Sequence, residues 1–156
     1  MAYIKYKELT KFFNFSKYIG ADSLPRYVKD YVYDEEKVLV AYKTFRDHGI
    51  FTTEKMVLFD NRLSFRPFKE IYTIPYNNVS ALSIKYKSKN VDLHFDLESG
   101  HQLLLKFVNM DERDKIRMRL LYSYICRYIN KQKIPSELVD NLVEDKIELH
   151  GGKKNE

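Results

Sequence analysis

The chain has 156 residues, a net charge of +5 and a single cysteine, Cys126, so it is long enough for one domain plus extensions and too short for two full domains. One cysteine excludes an internal disulfide and fits a reducing compartment. No stretch approaches the ~20 apolar residues of a membrane span, and the start MAYIKYKELTK lacks the apolar run of a signal peptide, so the expected location is cytoplasmic.

Residues 1 to about 20 read as a helix. Ile4, Leu9, Phe12, Phe13 and Ile19 share one broad apolar face, with Lys5, Lys7, Lys11 and Lys17 elsewhere, and Gly20 ends the run. Packed on the core, this helix covers an apolar end. The alternatives are an aromatic, basic segment lying on a membrane through Phe12, Phe13 and Phe15, or one docking on a neighbouring subunit. Ser23-Leu24-Pro25 starts a short helix over Arg26 to Tyr31, and Asp34-Glu35-Glu36 is a polar link.

From Val38 to Val108 the chain reads as short strands and tight turns. A loop at Asp47-His48-Gly49 sets Val40 opposite Met56 and Val38 opposite Leu58; a turn at Asp60-Asn61 then sets Leu63 opposite Leu58 and Phe65 opposite Met56. KEIYTIPY ends at Pro75, which cannot donate to a ladder. After a turn at Asn77-Asn78, Leu82, Ile84 and Tyr86 alternate with Ser83, Lys85 and Lys87. In the last hairpin a two-residue turn would mix the faces. A three-residue loop, Glu98-Ser99-Gly100, sets Phe95 opposite Leu103, Leu93 opposite Leu105 and Val91 opposite Phe107, with Asp92 across from Lys106. The total is about seven antiparallel strands.

After Val108 the apolar period changes to about 3.6. Asn109 and Glu112 have capping-box spacing, and Ile116, Leu120, Tyr124 and Tyr128 run beside Leu121, Ile125 and Ile129. Pro135 bars continuation. Ser136 then caps a second helix with Leu138, Leu142, Val143 and Ile147 as its stripe. Residues 134–156 hold three lysines against six acidic residues, so the positive charge sits in the body of the chain. The expected division is an N-terminal helical extension over 1–34, a core domain over 35–130, and a C-terminal helix and tail over 131–156.

No catalytic constellation or phosphate loop is present in the sequence, and no cofactor is expected. Asp92, His94 and Asp96 alternate on one strand face, a pattern that suits a divalent metal and equally suits an ordinary outer face, which is the reading preferred. Lys85, Lys87 and Lys89 form the strongest basic stripe, able to hold phosphate or simply to protect a sheet edge. Arg113 and Arg117 add charge to the helix. Without aromatics interleaved among these cations, nucleic acid is not the expected partner.

Seven meandering strands followed by one helix resemble the pleckstrin-homology superfold. Within it, Tyr42, Lys43, Arg46, Asp47, Phe51, Thr52 and Lys55, followed by Ile74, Pro75 and Tyr76, resemble the YK…RD, FT-x-x-[KR] and IPY motifs of the bacterial pleckstrin-homology family. The likeness spans roughly residues 35 to 130 and is to small stand-alone proteins of low-GC Gram-positive bacteria and their phages. It implies an α+β fold, a bent sandwich or partly open barrel closed by the helix, with extra helical segments at both ends. It further implies a non-catalytic module acting through a protein partner or self-assembly, the alternative being an adaptor on anionic lipid. Lys43, Arg46, Lys85, Lys87 and Lys89 are the anion or partner candidates. Eukaryotic inositide binders carry a long basic loop after their first strand; here that loop is short, so a phosphoinositide pocket is not expected.

Overall fold

The computed structural model describes residues 10–44, 47–62 and 68–148. Nine strands form two sheets. The five-stranded sheet has the order β2 (Lys17–Tyr18), β3 (Val38–Lys43), β4 (His48–Thr52), β5 (Lys55–Arg62), β6 (Phe68–Pro75). The four-stranded sheet has the order β1 (Thr10–Phe15), β9 (Gln102–Phe107), β8 (Val91–Leu97), β7 (Val79–Tyr86). Helix α1 (Glu112–Ile129) packs on the core between the sheets, and α2 (Ser136–Val143) docks against α1 and β3. The sheets do not close into a barrel.

The period-2 pattern places the core. Val91, Leu93, Phe95, Leu103, Leu105 and Phe107 are buried on the inner face of the four-stranded sheet. They meet Val40, Tyr42, Phe51, Met56 and Leu58 from the other sheet, and Met118, Leu121 and Ile125 from α1. A second apolar cluster lies on the far side of the five-stranded sheet. There Ile19, Leu24 and Val28 cover Ala41, Ile50, Val57 and Phe59, and Tyr27 and Tyr31 both stand edge-on to Phe59. The covering segment is built from short 3-10 turns at Ala21–Ser23 and Arg26–Tyr31, the latter where the sequence predicts a short helix.

The last hairpin has the register derived from sequence, with Phe95 opposite Leu103, Leu93 opposite Leu105 and Val91 opposite Phe107. Gly100 has φ 94°, the left-handed conformation that loop requires. Strands β3 to β9 form an antiparallel meander as predicted, matching it strand for strand from β6, which Pro75 ends, to β9.

Several boundaries differ, each for a physical reason. The N-terminal helix is not formed over the described residues: Thr10–Phe15 is a strand, parallel to β9, with Phe15 opposite Phe107. Its alternation hides in the triplet around Phe12 and Phe13. Ile4, Lys5, Lys7 and Leu9 lie outside the described residues. The first hairpin turns at Thr44–Asp47, closed by Thr44 N–H donating to the Asp47 carbonyl, so Val40 faces Phe51 and not Met56. Gly49 therefore lies inside β4, opposite Tyr42. It is needed there for space, because a Cβ would stand 2.6 Å from Cζ of Phe15. Thr53 and Glu54 break what reads as one long strand into β4 and β5, since the Thr52 hydroxyl captures the N–H groups of Glu54 and Lys55. Asp60 and Asn61 continue β5 and do not turn, so Leu58 faces Tyr72; Leu63 and Phe65 lie outside the described residues.

At the start of α1, Asn109 adopts φ 58° and Asp111 becomes the cap. The Asp111 carboxylate accepts from the Asp114 N–H at 2.8 Å, and the Asp114 carboxylate accepts from the Asp111 N–H at 3.3 Å. The left-handed turn at Asn109 drives Met110 into the core, which moves the cap two residues on. Pro135, with no side-chain bond, occupies the cap position of α2, so Ser136 is the first helical residue. Leu142 and Ile147 of that predicted stripe are buried, whereas Val143 is exposed.

Gly49→Ala should destabilise the chain by about 1–3 kcal/mol, because the Phe15 ring must shift within a filled core. A fall in the urea midpoint at unchanged slope would show it, and an unchanged midpoint would contradict the close approach.

Candidate functional site

Three of the motif residues, Thr52, Lys55 and Tyr76, come together at one corner. Thr52 Oγ1 accepts from the Glu54 and Lys55 N–H groups, each at 3.0 Å, and donates to Glu36 Oε1 at 2.6 Å. Lys55 Nζ donates to Glu36 Oε2 at 2.9 Å and lies 3.8 Å from the Tyr33 ring centroid. Tyr76 of the IPY motif donates to the Thr52 carbonyl at 2.7 Å. From α1, Tyr124 donates to the Thr53 carbonyl at 2.6 Å and Tyr128 to Glu54 Oε1 at 2.7 Å. Burial alone would raise the Glu36 carboxyl, but the bonds from Thr52, the Tyr33 N–H and Lys55 outweigh it and leave it lowered. Burial drives the Tyr76 hydroxyl well above its ordinary value and, with Glu54, pushes Tyr124 up to about 12; the bond to Glu54, with burial, pushes Tyr128 up to about 12. These groups hold a turn.

A second polar cluster surrounds Arg117, which is only 3% exposed and is not the surface cation its helix position suggests. Its guanidinium donates to Asp145 Oδ1 at 2.9 Å, to the Tyr42 hydroxyl at 2.9 Å and to Asp114, and stacks 3.8 Å from the Tyr18 ring centroid. Arg113 donates to the Asp145 carbonyl at 2.6 Å. Tyr42 and Arg117 thus tie β2, β3 and α1 to the segment after α2. Burial opposes the charge on Arg117, but Tyr42 and Asp145 outweigh it and hold its pKa raised. No local sequence pattern marks this group, because its partners lie far apart along the chain.

The predicted binding residues are dispersed. Phe13 and Phe15 are core residues, 3% and 0% exposed, because they alternate inward on β1; this removes them from any membrane-facing surface. Phe12 points the other way and is 52% exposed. Lys43 sits on the five-stranded sheet, opposite Lys17 and His48; Arg46 lies outside the described residues. Lys85 is on β7, but that strand ends at Tyr86, so Lys87 and Lys89 lie in the turn to β8 and the stripe is broken. Lys87 Nζ is 3.2 Å from Asp92 Oδ2.

What the fold does bring together is Phe12 and Lys85, on the outer face of the four-stranded sheet. The registers place Lys85, Asp92, Lys106 and Asn14 in one row across the strands, and Ser83, His94, Leu104 and Phe12 in the next. A shallow hollow of about 400 Å³ lies over Ser83, Lys85, Asp92, His94, Gln102 and Leu104. Lys106 lies across from Asp92 as the sequence register sets it, whereas Asn14 and Phe12 join this face only through the non-local β1–β9 pairing, which sequence reasoning missed. The His94 ring lies 3.6 Å from Asp96. Among the described residues no three His, Cys, Asp or Glu side chains are grouped to hold a metal ion. Another hollow, of about 410 Å³, separates α1 from α2, with Ile116 and Leu120 between Arg119, Lys146, Glu137 and Glu148. No described helix is long and apolar enough to cross a membrane.

Two sheets closed by one helix, with their polar clusters spent on structure, define a pleckstrin-homology-type domain, a fold that generally serves as a non-catalytic binding module. The chain belongs to the bacterial PH domain family, whose model matches residues 8–129. Three solved structures are similar. A DUF1696 family protein with a pleckstrin-homology domain from Shewanella loihica PV-4 is 17% identical, with TM-score 0.57, over 72% of this chain and 96% of that one. A PH domain containing bacterial protein from Exiguobacterium sibiricum 255-15 is 18% identical, with TM-score 0.57, over 74% and 62%. A pleckstrin homology domain from Shewanella amazonensis SB2B is 19% identical, with TM-score 0.50, over 71% and 89%. At these identities the likeness shows the fold alone. No curated protein sequence matches.

Arg117→Ala leaves Asp114 and Asp145 without their buried counter-charge and should cost about 3–5 kcal/mol, with Arg117→Lys recovering only part because an ammonium lacks the planar fork. Equal stability of all three proteins in urea would refute the role given to Arg117. At the other cluster, raised tyrosine pKa values mean that the folded state holds protons the unfolded chain releases. That stability is complete below pH 10 and is lost as pH rises through about 12. Tyr76→Phe should lower stability at neutral pH and flatten the alkaline fall, both read from unfolding midpoints at successive pH values.

Proposed function

We propose that this chain is a non-catalytic binding module that works by protein–protein contact, with another protein or with itself, through the outer face of its four-stranded sheet. The observation that carries this reading is the pairing of the exposed Phe12, on edge strand β1, with Leu104 in the middle row of a face whose other groups, Ala81 aside, are charged or polar. An apolar centre with a polar rim is the composition of a protein contact. The centres of both polar clusters, Thr52 and Arg117, are buried and engaged in hydrogen bonds within the fold. Lys43, the last residue of β3, belongs to the opposite sheet.

A second reading has one observation in its favour: Phe12 shares its face with Lys85 and Lys106, the combination an anionic lipid surface would meet. Nucleic acid has less support, since Phe12 is the one aromatic residue in the described rows of that face.

The test is a tagged pull-down after nuclease treatment, run in parallel with Phe12→Glu and Lys85→Glu. A stoichiometric protein, retained by the native chain and lost with Phe12→Glu, is expected. Co-sedimentation with phosphatidylserine vesicles that high salt abolishes, with no protein retained, would replace this reading with the lipid one.

A further inference from the structure

The family match stops at residue 129, and the described chain runs on as a strap made of α2 and the residues after it. The strap folds back over the domain and buries Leu142 and Ile147. Between them, Asp145 is its polar anchor. Asp145 Oδ1 accepts from Arg117 Nε at 2.9 Å and lies 2.8 Å from Nη2 of the same guanidinium, while Oδ2 accepts from Arg113 at 3.1 Å. One carboxylate is thus held by two guanidinium groups through charge-assisted bonds. The other edge of Arg117 is fixed by Tyr42 and Asp114, and Tyr18 stacks on its face. Every one of these receiving groups lies inside the matched stretch. The cradle belongs to the domain, and the carboxylate in it belongs to the added segment.

We propose that the Arg113–Arg117 cradle is a carboxylate-binding site for a partner protein, occupied here by the chain's own strap, and that the partner enters as an acidic amphipathic helix in the strap's place. This site shares no residue with the outer face of the four-stranded sheet, so it stands or falls apart from the reading above.

The strap is built as a plug that can leave. Asp145 has φ 55°, and the bonds from its N–H to the Leu142 carbonyl and from the Lys146 N–H to the Asn141 carbonyl close the end of α2 around it. Glycine is the usual residue at that left-handed position. A strained side chain there is accounted for by what its carboxylate grips. Helix α2 has eight residues, no side-chain cap at Pro135 and no basic residue in its last turn, where cations suit the helix dipole. A helix so short and so poorly capped holds its shape by docking. Among the described residues the strap adds no strand to either sheet, so it can leave without unpairing one.

Its chemistry describes the partner. Residues 136–148 carry five acidic side chains against one lysine. They lie over a helix that presents Arg113, Arg117 and Arg119, and charge of opposite sign is what selects such a ligand. The recognised spacing is an apolar residue, a carboxylate three positions on, and a second apolar residue two beyond that, as in Leu142, Asp145 and Ile147. The hollow of about 410 Å³ beside the strap, floored by Ile116 and Leu120, has room for a bulkier helix. An amphipathic helix laid in a groove is a common mode of protein recognition.

The test uses the full chain and, as probe, a fluorescein-labelled peptide of residues 134–148, followed by anisotropy. The tethered strap competes at an effective concentration of roughly millimolar order. The native chain should therefore bind the peptide at least roughly ten-fold more weakly than an Asp145→Ala chain, whose own strap has lost its anchor. Peptide carrying the same Asp145→Ala change should bind that opened chain roughly ten-fold more weakly than unaltered peptide, and adding Arg113→Ala to the chain should also weaken binding. A peptide of unrelated sequence that keeps only the acidic face and the apolar, carboxylate, apolar spacing should bind within roughly ten-fold of the probe. If Asp145→Ala does not fold, a protease site inserted between Lys131 and Lys133 and cut in the folded native chain removes the tether, and the probe should then exchange into the site. Equal binding by native and opened chains, binding that ignores the peptide's own aspartate, or no binding to an opened chain at about 500 µM would overturn the proposal. Binding of the chain's own sequence with none of the unrelated peptide would make the cradle a fixed seat for the strap and overturn the partner.

Discussion

Everything in this fold converges on the turn from Thr52 to Lys55. A four-residue reversal exposes backbone groups that must find partners once they are buried. Here those groups are met from three directions. Thr52 closes the turn with its own hydroxyl, Tyr76 arrives from the crossover between the sheets, and Tyr124 arrives from α1. The Lys55–Glu36 pair then anchors the link that carries the chain into β3. A single corner thereby sets the positions of the five-stranded sheet, the start of the four-stranded sheet and the closing helix. The FT-x-x-[KR] motif and the tyrosine of IPY are a record of this corner, where Phe51, Thr52, Lys55 and Tyr76 are buried.

The cations are spent in a similar way. Arg117 is consumed inside the molecule and Lys55 is buried against Glu36, while Lys87 turns back to Asp92. Each pairing also takes up an acid, so the net charge of +5 is unchanged, but these cations are not the ones that carry it to the surface. What remains on the four-stranded sheet is a mixture of both signs around Phe12 and Leu104. Mixed charge around an apolar centre favours a partner with its own pattern over a uniform polyanion.

Local chemistry was legible in the sequence, and long-range pairing was not. The β8–β9 register follows from alternation plus one glycine, both contained in about twenty residues. The meander of seven strands, the stop at Pro75 and the apolar side of α1 were readable for the same reason. Strand β1 was not, because its partner β9 lies some ninety residues away and the triplet around Phe12 and Phe13 blurs the alternation. Gly49 looks like a turn glycine until Phe15 is seen against it. Arg117 looks like a surface cation until Asp145 folds back over it. Of the candidate site, Lys85 and Phe12 were visible as separate residues. Their common face depended on the unseen β1–β9 pairing, so Phe12 and Asn14 were not seen to lie beside Leu104 and Lys106.

The most direct test of where the chain works is the amide NMR spectrum of the isotopically labelled protein, followed from dilute to concentrated solution. Shifts confined to residues 12–14, 81–85, 92–96 and 102–106, with Lys43, His48 and the α1–α2 hollow silent, are the predicted result. Shifts centred on the β3–β4 turn or on that hollow would contradict it.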